Sequence, residues 1–256
     1  MEPPPDSLLY YLSVGLPAIP VLGATPSKST ASAAYSIRDI REIAPWPEFN
    51  YSTILDRFGP LLNDTQIPLD NYMSPPHPIK SEKHLQSHFS ALVMPRVRRA
   101  LRAGLDQPTQ ELPQQKIVAM TLTDGTAAKT INQFVPDTAF VPVGSNPSTA
   151  INRAPGDLKV SWKWKYSNWN SDDRVLRSEY LKTMAQVNFH MAQHGARHGF
   201  ILTDTELVAI KRLDTNGRLA VAEPIPWTNG GIGQLSVLLG LWYIGMLAAE
   251  DTWSLS

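Results

Sequence analysis

The chain has no cysteine among its 256 residues. That excludes disulfides and thiolate metal sites, and it suits an intracellular, cytoplasmic protein. An excess of charge of either sign is also missing. Acids and bases balance at 23 each, so no global positive field advertises a nucleic-acid partner and any basic surface must be local. The most apolar C-terminal stretch, residues 235–249, falls short of the ~20 residues a membrane span needs. A secretory leader would begin with positive charge, whereas this chain begins Met1-Glu2-Pro3-Pro4-Pro5-Asp6, and the apolar run after it is broken by Gly15, Pro17 and Pro20. No membrane partner is expected.

A chain of this length can bury a substantial core, and one domain is favoured. Residues 1–80 hold many of the prolines and little sustained periodicity. They are expected to form an irregular N-terminal extension wrapped over a catalytic body at 81–256. Within the extension, Asp6 would cap a short helix over 7–13 and Ser36 another over 37–43, while the Ser/Thr/Ala-rich residues 25–34 read as a loop. The run Tyr72-Met73-Ser74-Pro75-Pro76-His77-Pro78 excludes helix, because each proline restricts the residue before it.

From Ser81 the pattern sharpens. Leu85, Phe89, Leu92, Val93, Val97 and Leu101 recur at helical spacing, with Gly104 where a C-terminal cap belongs and Pro95 where the helix should bend or divide. Glu82 falls in its first turn, where an acid also suits the helix dipole. Arg96, Arg98, Arg99 and Arg102 form the densest basic cluster, either a solvated face or a set of phosphate contacts. Residues 116–122 read as a strand and Asp124-Gly125 as a turn.

The pattern that carries chemistry is Phe134-Val135-Pro136-Asp137, followed by Gly156-Asp157-Leu158-Lys159-Val160-Ser161-Trp162-Lys163-Trp164-Lys165. As a strand, the second run places Asp157, Lys159, Ser161, Lys163 and Lys165 on one face and Leu158, Val160, Trp162 and Trp164 on the other. Proline before Asp137 fixes the backbone from which that second carboxylate projects. Further on, Ser178 would cap a helix ending near His194-Gly195, with Gln186, His190, Gln193 and Arg197 on one polar stripe. His190 and His194 lie one turn apart, a spacing that can ligate a metal but lacks a third ligand. Short strands follow at 200–203 and 207–210, a turn at 214–217 leads into 219–221, and an apolar helix over 234–249 should be buried.

Pro-Asp, a gap, then Asp-x-Lys resembles the signature of the PD-(D/E)XK nuclease-like superfamily, and helix, strand, strand with Asp, strand with Asp-x-Lys is the order that resemblance requires. It implies an α/β (α+β) fold with a central mixed β-sheet flanked by helices. The runs 156–164 and 194–204 are similar to stand-alone fungal proteins of this class, a set suspected to include the arginine-containing cyclodipeptide synthases, which use aminoacyl-tRNA.

The resemblance implies catalytic roles for Asp137, Asp157, Lys159, Gln186 and Glu82. In the synthase reading no cofactor is required. Asp137 and Asp157 would clamp the arginyl guanidinium through charge-assisted bonds, Trp162 and His190 would add substrate contacts, and Ser161 could carry a covalent aminoacyl group. Arg96, Arg98, Arg99, Arg102, Lys163 and Lys165 would contact tRNA phosphates. In the alternative, a Mg²⁺-dependent endonuclease acting on DNA or RNA, Asp137 and Asp157 would hold the metal and Lys159 would help position or deprotonate the attacking water. In a synthase mechanism without a covalent step, Lys159 could serve as the base only with a pKa lowered by burial, which the flanking acids oppose.

Overall fold

The structure, a computed structural model, describes residues 3–23, 34–70, 74–105 and 117–255. Its organising element is the last helix, α6 (Val237–Ala249), in which all thirteen residues are buried. Ser236 starts it, its Oγ accepting from Leu239 N at 3.0 Å and donating to the Leu12 carbonyl. Two glycines let the helix lie directly on its neighbours. A Cβ at Gly240 would stand 2.8 Å from Ile225 Cδ1, and one at Gly245 would stand 2.9 Å from Phe140 Cε1.

Beneath α6 runs one mixed sheet in the order β1-β7-β6-β5-β4-β3-β2, with β8 pairing β6 beside β7. The strands are β1 (Glu42–Pro45), β2 (Met120–Asp124), β3 (Thr138–Pro142), β4 (Gly156–Leu158), β5 (His198–Leu202), β6 (Glu206–Arg212), β7 (Arg218–Val221) and β8 (Ile225–Pro226). Alternation divides their side chains between two layers. Phe200, Leu202, Leu207 and Ala209 belong to the core under α6, whereas Ile201, Val208 and Ile210 pack with Tyr180, Met184, Val187 and Met191 of α5 (Arg174–Gln193) on the other face. Helices thus flank a central mixed sheet, as expected. α5 is the crossover that lets β4 and β5 run parallel.

On the α6 side, α1 (Leu8–Leu12) and α4 (Met94–Leu105) complete the layer. Ahead of α4 come α3 (Glu82–His88) and a π-turn over Phe89–Val93, so the segment around Pro95 is divided. The wider turn ends just before the proline, whose ring would otherwise press on the preceding turn.

Several expectations need correction. Residues 1–80 are not an irregular wrap throughout: β1 joins the sheet parallel to β7, and α2 (Tyr51–Asp64) buries Ile54, Phe58 and Leu62. The helix expected over 37–43 is a single 3₁₀ turn, Ile37–Asp39, because Ser36 and Asp39 close a capping box and the chain then extends into β1. Ser7, not Asp6, caps α1. Asp173, not Ser178, caps α5. The strand expected over 116–122 is β2, shifted toward the turn, and Lys116 lies outside the described residues, as do 25–33 and Tyr72-Met73.

Candidate active site

The long strand expected over 156–165 stops at Leu158. Lys159 N still donates to Leu202 O at 3.0 Å, which carries the extended register one residue further. Asp204 then ends it: its carboxylate accepts from Ser161 N at 2.6 Å and from Ser161 Oγ at 2.7 Å, and the chain turns. Asp157 and Lys159 therefore keep the same face, the α5 side, while Leu158 and Val160 enter the α6 core.

Asp137 arrives from the loop before β3. Gly125 makes room for it, since a Cβ there would fall 1.7 Å from the Pro136 carbonyl oxygen. Asp137 Oδ2 accepts from Leu158 N at 2.8 Å, so the Pro-Asp element is fastened to β4 between the two motif residues. Asp157 Oδ2 lies 2.8 Å from Lys159 Nζ. That contact is ionic and lacks hydrogen-bond direction, leaving Asp157 Oδ2 without a directed partner. Both residues are buried, Asp157 at 1% and Lys159 at 8% exposure.

Asp137 and Lys159 line a polar cleft of about 410 Å³, and the buried Asp157 does not line it. Asp137, Leu158 and Lys159 form its floor, α3 supplies Glu82, Lys83 and Gln86, and α5 supplies Gln186. Lys163, in the turn after β4, reaches Glu82 Oε1 at 3.2 Å and ties that turn to α3. Tyr35 closes the remaining side.

Burial and the neighbouring Asp157 charge, with a hydrogen bond to Asp157, push the Asp137 carboxyl up to about 8. Burial alone would lower Lys159, but the charges of Asp157 and Asp137 outweigh it and hold the ammonium well above its ordinary value. Tyr35 is raised by burial and by Asp157. His190 is 3% exposed and is lowered by burial against the opposing pull of Asp157, so its imidazole is neutral at pH 7.

The fold thus gathers Asp137, Asp157, Lys159, Glu82, Gln186 and Lys163, with His190 near enough to sense Asp157. It does not bring in the others. Ser161 is held by Asp204, Trp162 packs against the α6 core, and Lys165 is exposed without lining the cleft. Arg96 and Arg99 pair with Asp70 at 3.0 and 2.6 Å, and Arg98 donates to the Leu122 carbonyl and to Thr123 Oγ1. Arg102 is exposed on the same helix, and none of the four lines the cleft. Gln86 had a signal, four residues after Glu82 on the same helix; Lys83, adjacent to Glu82, and Tyr35, from the first third, had none. The chain matches no protein-family model, no curated protein and no solved structure.

Proposed function

We propose that the chain is an enzyme on a PD-(D/E)XK-like scaffold that forms peptide bonds between aminoacyl groups delivered by tRNA, arginine among them. Support for the scaffold is the element order: α3 and α4, then β2, then β3 entered through Asp137, then β4 with Asp-x-Lys, then α5 and the parallel β5.

The observation that carries the reaction is the Asp137 carboxyl, poised at about 8 beside a closed Asp157–Lys159 ion pair. An α-amino group titrates at about 7.7–8.0, so Asp137 is a matched base for it. In the step proposed, the amine of one aminoacyl-tRNA attacks the ester carbonyl carbon of the other. A C–N bond forms, the ester C–O bond breaks, and Asp137 passes the amine proton to the departing ribose oxygen. The same attack within the dipeptidyl ester closes the ring. Lys159 stays protonated, so it is not the base; it holds Asp157 and presents positive charge to the developing oxyanion. Asp157 is buried as well as paired with Lys159, which shifts the guanidinium role to Glu82, whose side chain is 38% exposed at the cleft and whose second carboxylate oxygen would take the guanidinium while Oε1 stays with Lys163. The test is arginyl-tRNA plus a second charged tRNA: a cyclic dipeptide is expected from the full chain and not from Asp157→Asn.

One observation favours the second reading, a Mg²⁺-dependent nuclease. Asp157 Oδ2 has no directed hydrogen bond and lies beside a second carboxyl. No group of three or more His, Asp or Glu suited to a metal occurs among the described residues, yet Mg²⁺ accepts one or two carboxylates because it keeps several waters. Asp137 and Asp157 would hold it, and it would supply Lewis-acid stabilisation of phosphate charge. Nucleic-acid cleavage abolished by Asp157→Asn, with no cyclic dipeptide, selects this reading.

A further inference from the structure

A second cavity of about 350 Å³ is lined by three arginines and one acid: Arg38, Asp39 and Arg41 from the segment leading into β1, and Arg212 from the end of β6. Arg212 is 5% exposed and its Nε has no hydrogen-bond partner. A buried donor nitrogen without a hydrogen bond is costly, and the Asp214 charge offsets only part of that cost. The two nearby carboxylates are already engaged by backbone amides. Asp39 accepts from Ser36 N at 2.7 Å, and Asp214 accepts from Asn216 N at 2.7 Å and Arg218 N at 3.2 Å. Arg38 and Arg41 are exposed and form no ion pair among the described residues.

The cavity also contains an acceptor in need of a donor. Asn188 of α5 is 7% exposed, and its Oδ1 has no partner. A ligand that offers anionic oxygens to the arginines and a hydroxyl proton to Asn188 satisfies every one of these groups. A phosphodiester next to a ribose does so, because the 2′-hydroxyl is both donor and acceptor; deoxyribose lacks it. The two cavities share a wall. Phe189 lines the second, Tyr35 lines the first, and their rings lie 5.4 Å apart. Along α5, Gln186 faces the first cavity while Asn188 and Phe189 face the second.

We infer that the Arg38–Arg41–Arg212 cavity binds a phosphate–ribose unit of an RNA strand whose reacting end occupies the Asp137–Lys159 cleft. The choice of RNA rests on the proposed use of aminoacyl-tRNA; the three arginines and the partnerless Arg212 Nε and Asn188 Oδ1 do not. It also supplies the local basic surface that a chain of zero net charge requires to hold nucleic acid.

The test uses the full chain and a fluorescent tRNA acceptor-stem hairpin, in RNA and all-deoxy forms, with affinity read across a salt series. Arg38→Gln/Arg41→Gln changes exposed residues and leaves the buried Arg212 in place, so folding is preserved. It is expected to weaken RNA binding at least about tenfold and to flatten the salt slope by about 0.7 per lost contact. Asn188→Ala is expected to bring RNA affinity down to that of the deoxy hairpin. Unchanged affinity of the double variant for both RNA and inorganic phosphate overturns the site. An arginine-dependent affinity for inorganic phosphate, with no arginine dependence for RNA, overturns the RNA assignment. Cyclic-dipeptide formation is followed with the same protein variants, supplied with arginyl-tRNA and a second charged tRNA. Arginine-dependent RNA binding without product keeps this cavity and removes the acyl-transfer reading, whereas product with arginine-independent binding does the reverse.

Discussion

Asp137 should make the protein less stable as pH rises, the reverse of the behaviour of most paired carboxylates. Its folded pKa of about 8 stands above the ordinary 3.8, so between those values the folded state keeps a proton that the unfolded chain releases. Stability is therefore greatest below 3.8 and is lost as pH climbs through about 8. At 1.36 kcal/mol per unit, the loss between pH 5 and pH 8 is at most about 4 kcal/mol. That is an upper bound, because Asp157 shares the proton and Lys159 offsets part of the charge. Asn is nearly isosteric with the protonated acid and can still accept from Leu158 N, so Asp137→Asn should exceed the parent by up to about 1.6 kcal/mol at pH 5 and by up to about 4 kcal/mol more at pH 8. Urea midpoints at both pH values, with unchanged m, measure the difference. Equal pH dependence in parent and variant would refute the proton assignment.

Other consequences follow from the same fold. Lys159→Met leaves Asp157 buried without its counter-charge and should cost about 3–5 kcal/mol in urea unfolding, with all product formation lost. Gly156→Ala places a methyl 2.1 Å from Phe200 Cζ and 2.4 Å from Thr138 Oγ1, so strain of about 1–3 kcal/mol should appear as a lowered Tm. Ser161→Ala removes the hydroxyl held by Asp204 and should lower stability by about 1 kcal/mol while turnover persists; loss of turnover in the variant, with an aminoacyl-enzyme trapped on the parent, would restore the covalent route. Asn50→Ala removes the side-chain acceptor of Thr53 N at 2.9 Å and should cost about 1 kcal/mol by thermal melting.

The trio was legible because its geometry is local. Two-residue alternation sets Asp157 and Lys159 on one face, and proline fixes the approach of Asp137. The same alternation misled beyond Leu158, where Lys and Trp take turns as in a strand. What stops the pairing is Asp204, whose carboxylate takes the Ser161 amide from 43 residues away. Helix α2 had its signal in Ile54, Phe58 and Leu62, but Pro60 within it and the prolines on either side hid the period. β1 was beyond local reading, since its partners on β7 lie far down the chain, Glu42 facing Arg218 and Pro45 facing Val221; Pro45 is tolerated because β1 is an edge. The arginine cluster was visible as charge, but its engagement with Asp70 and Leu122 depends on the fold.

The most direct test of the acyl-transfer centre is a mass-spectrometric assay with purified full chain, arginyl-tRNA and a second charged tRNA, run with and without a divalent-cation chelator. The expected result is an arginine-containing cyclic dipeptide in both conditions, absent with Asp137→Ala and with Asp157→Asn. A chelator-sensitive loss of intact tRNA with no cyclic product would contradict it.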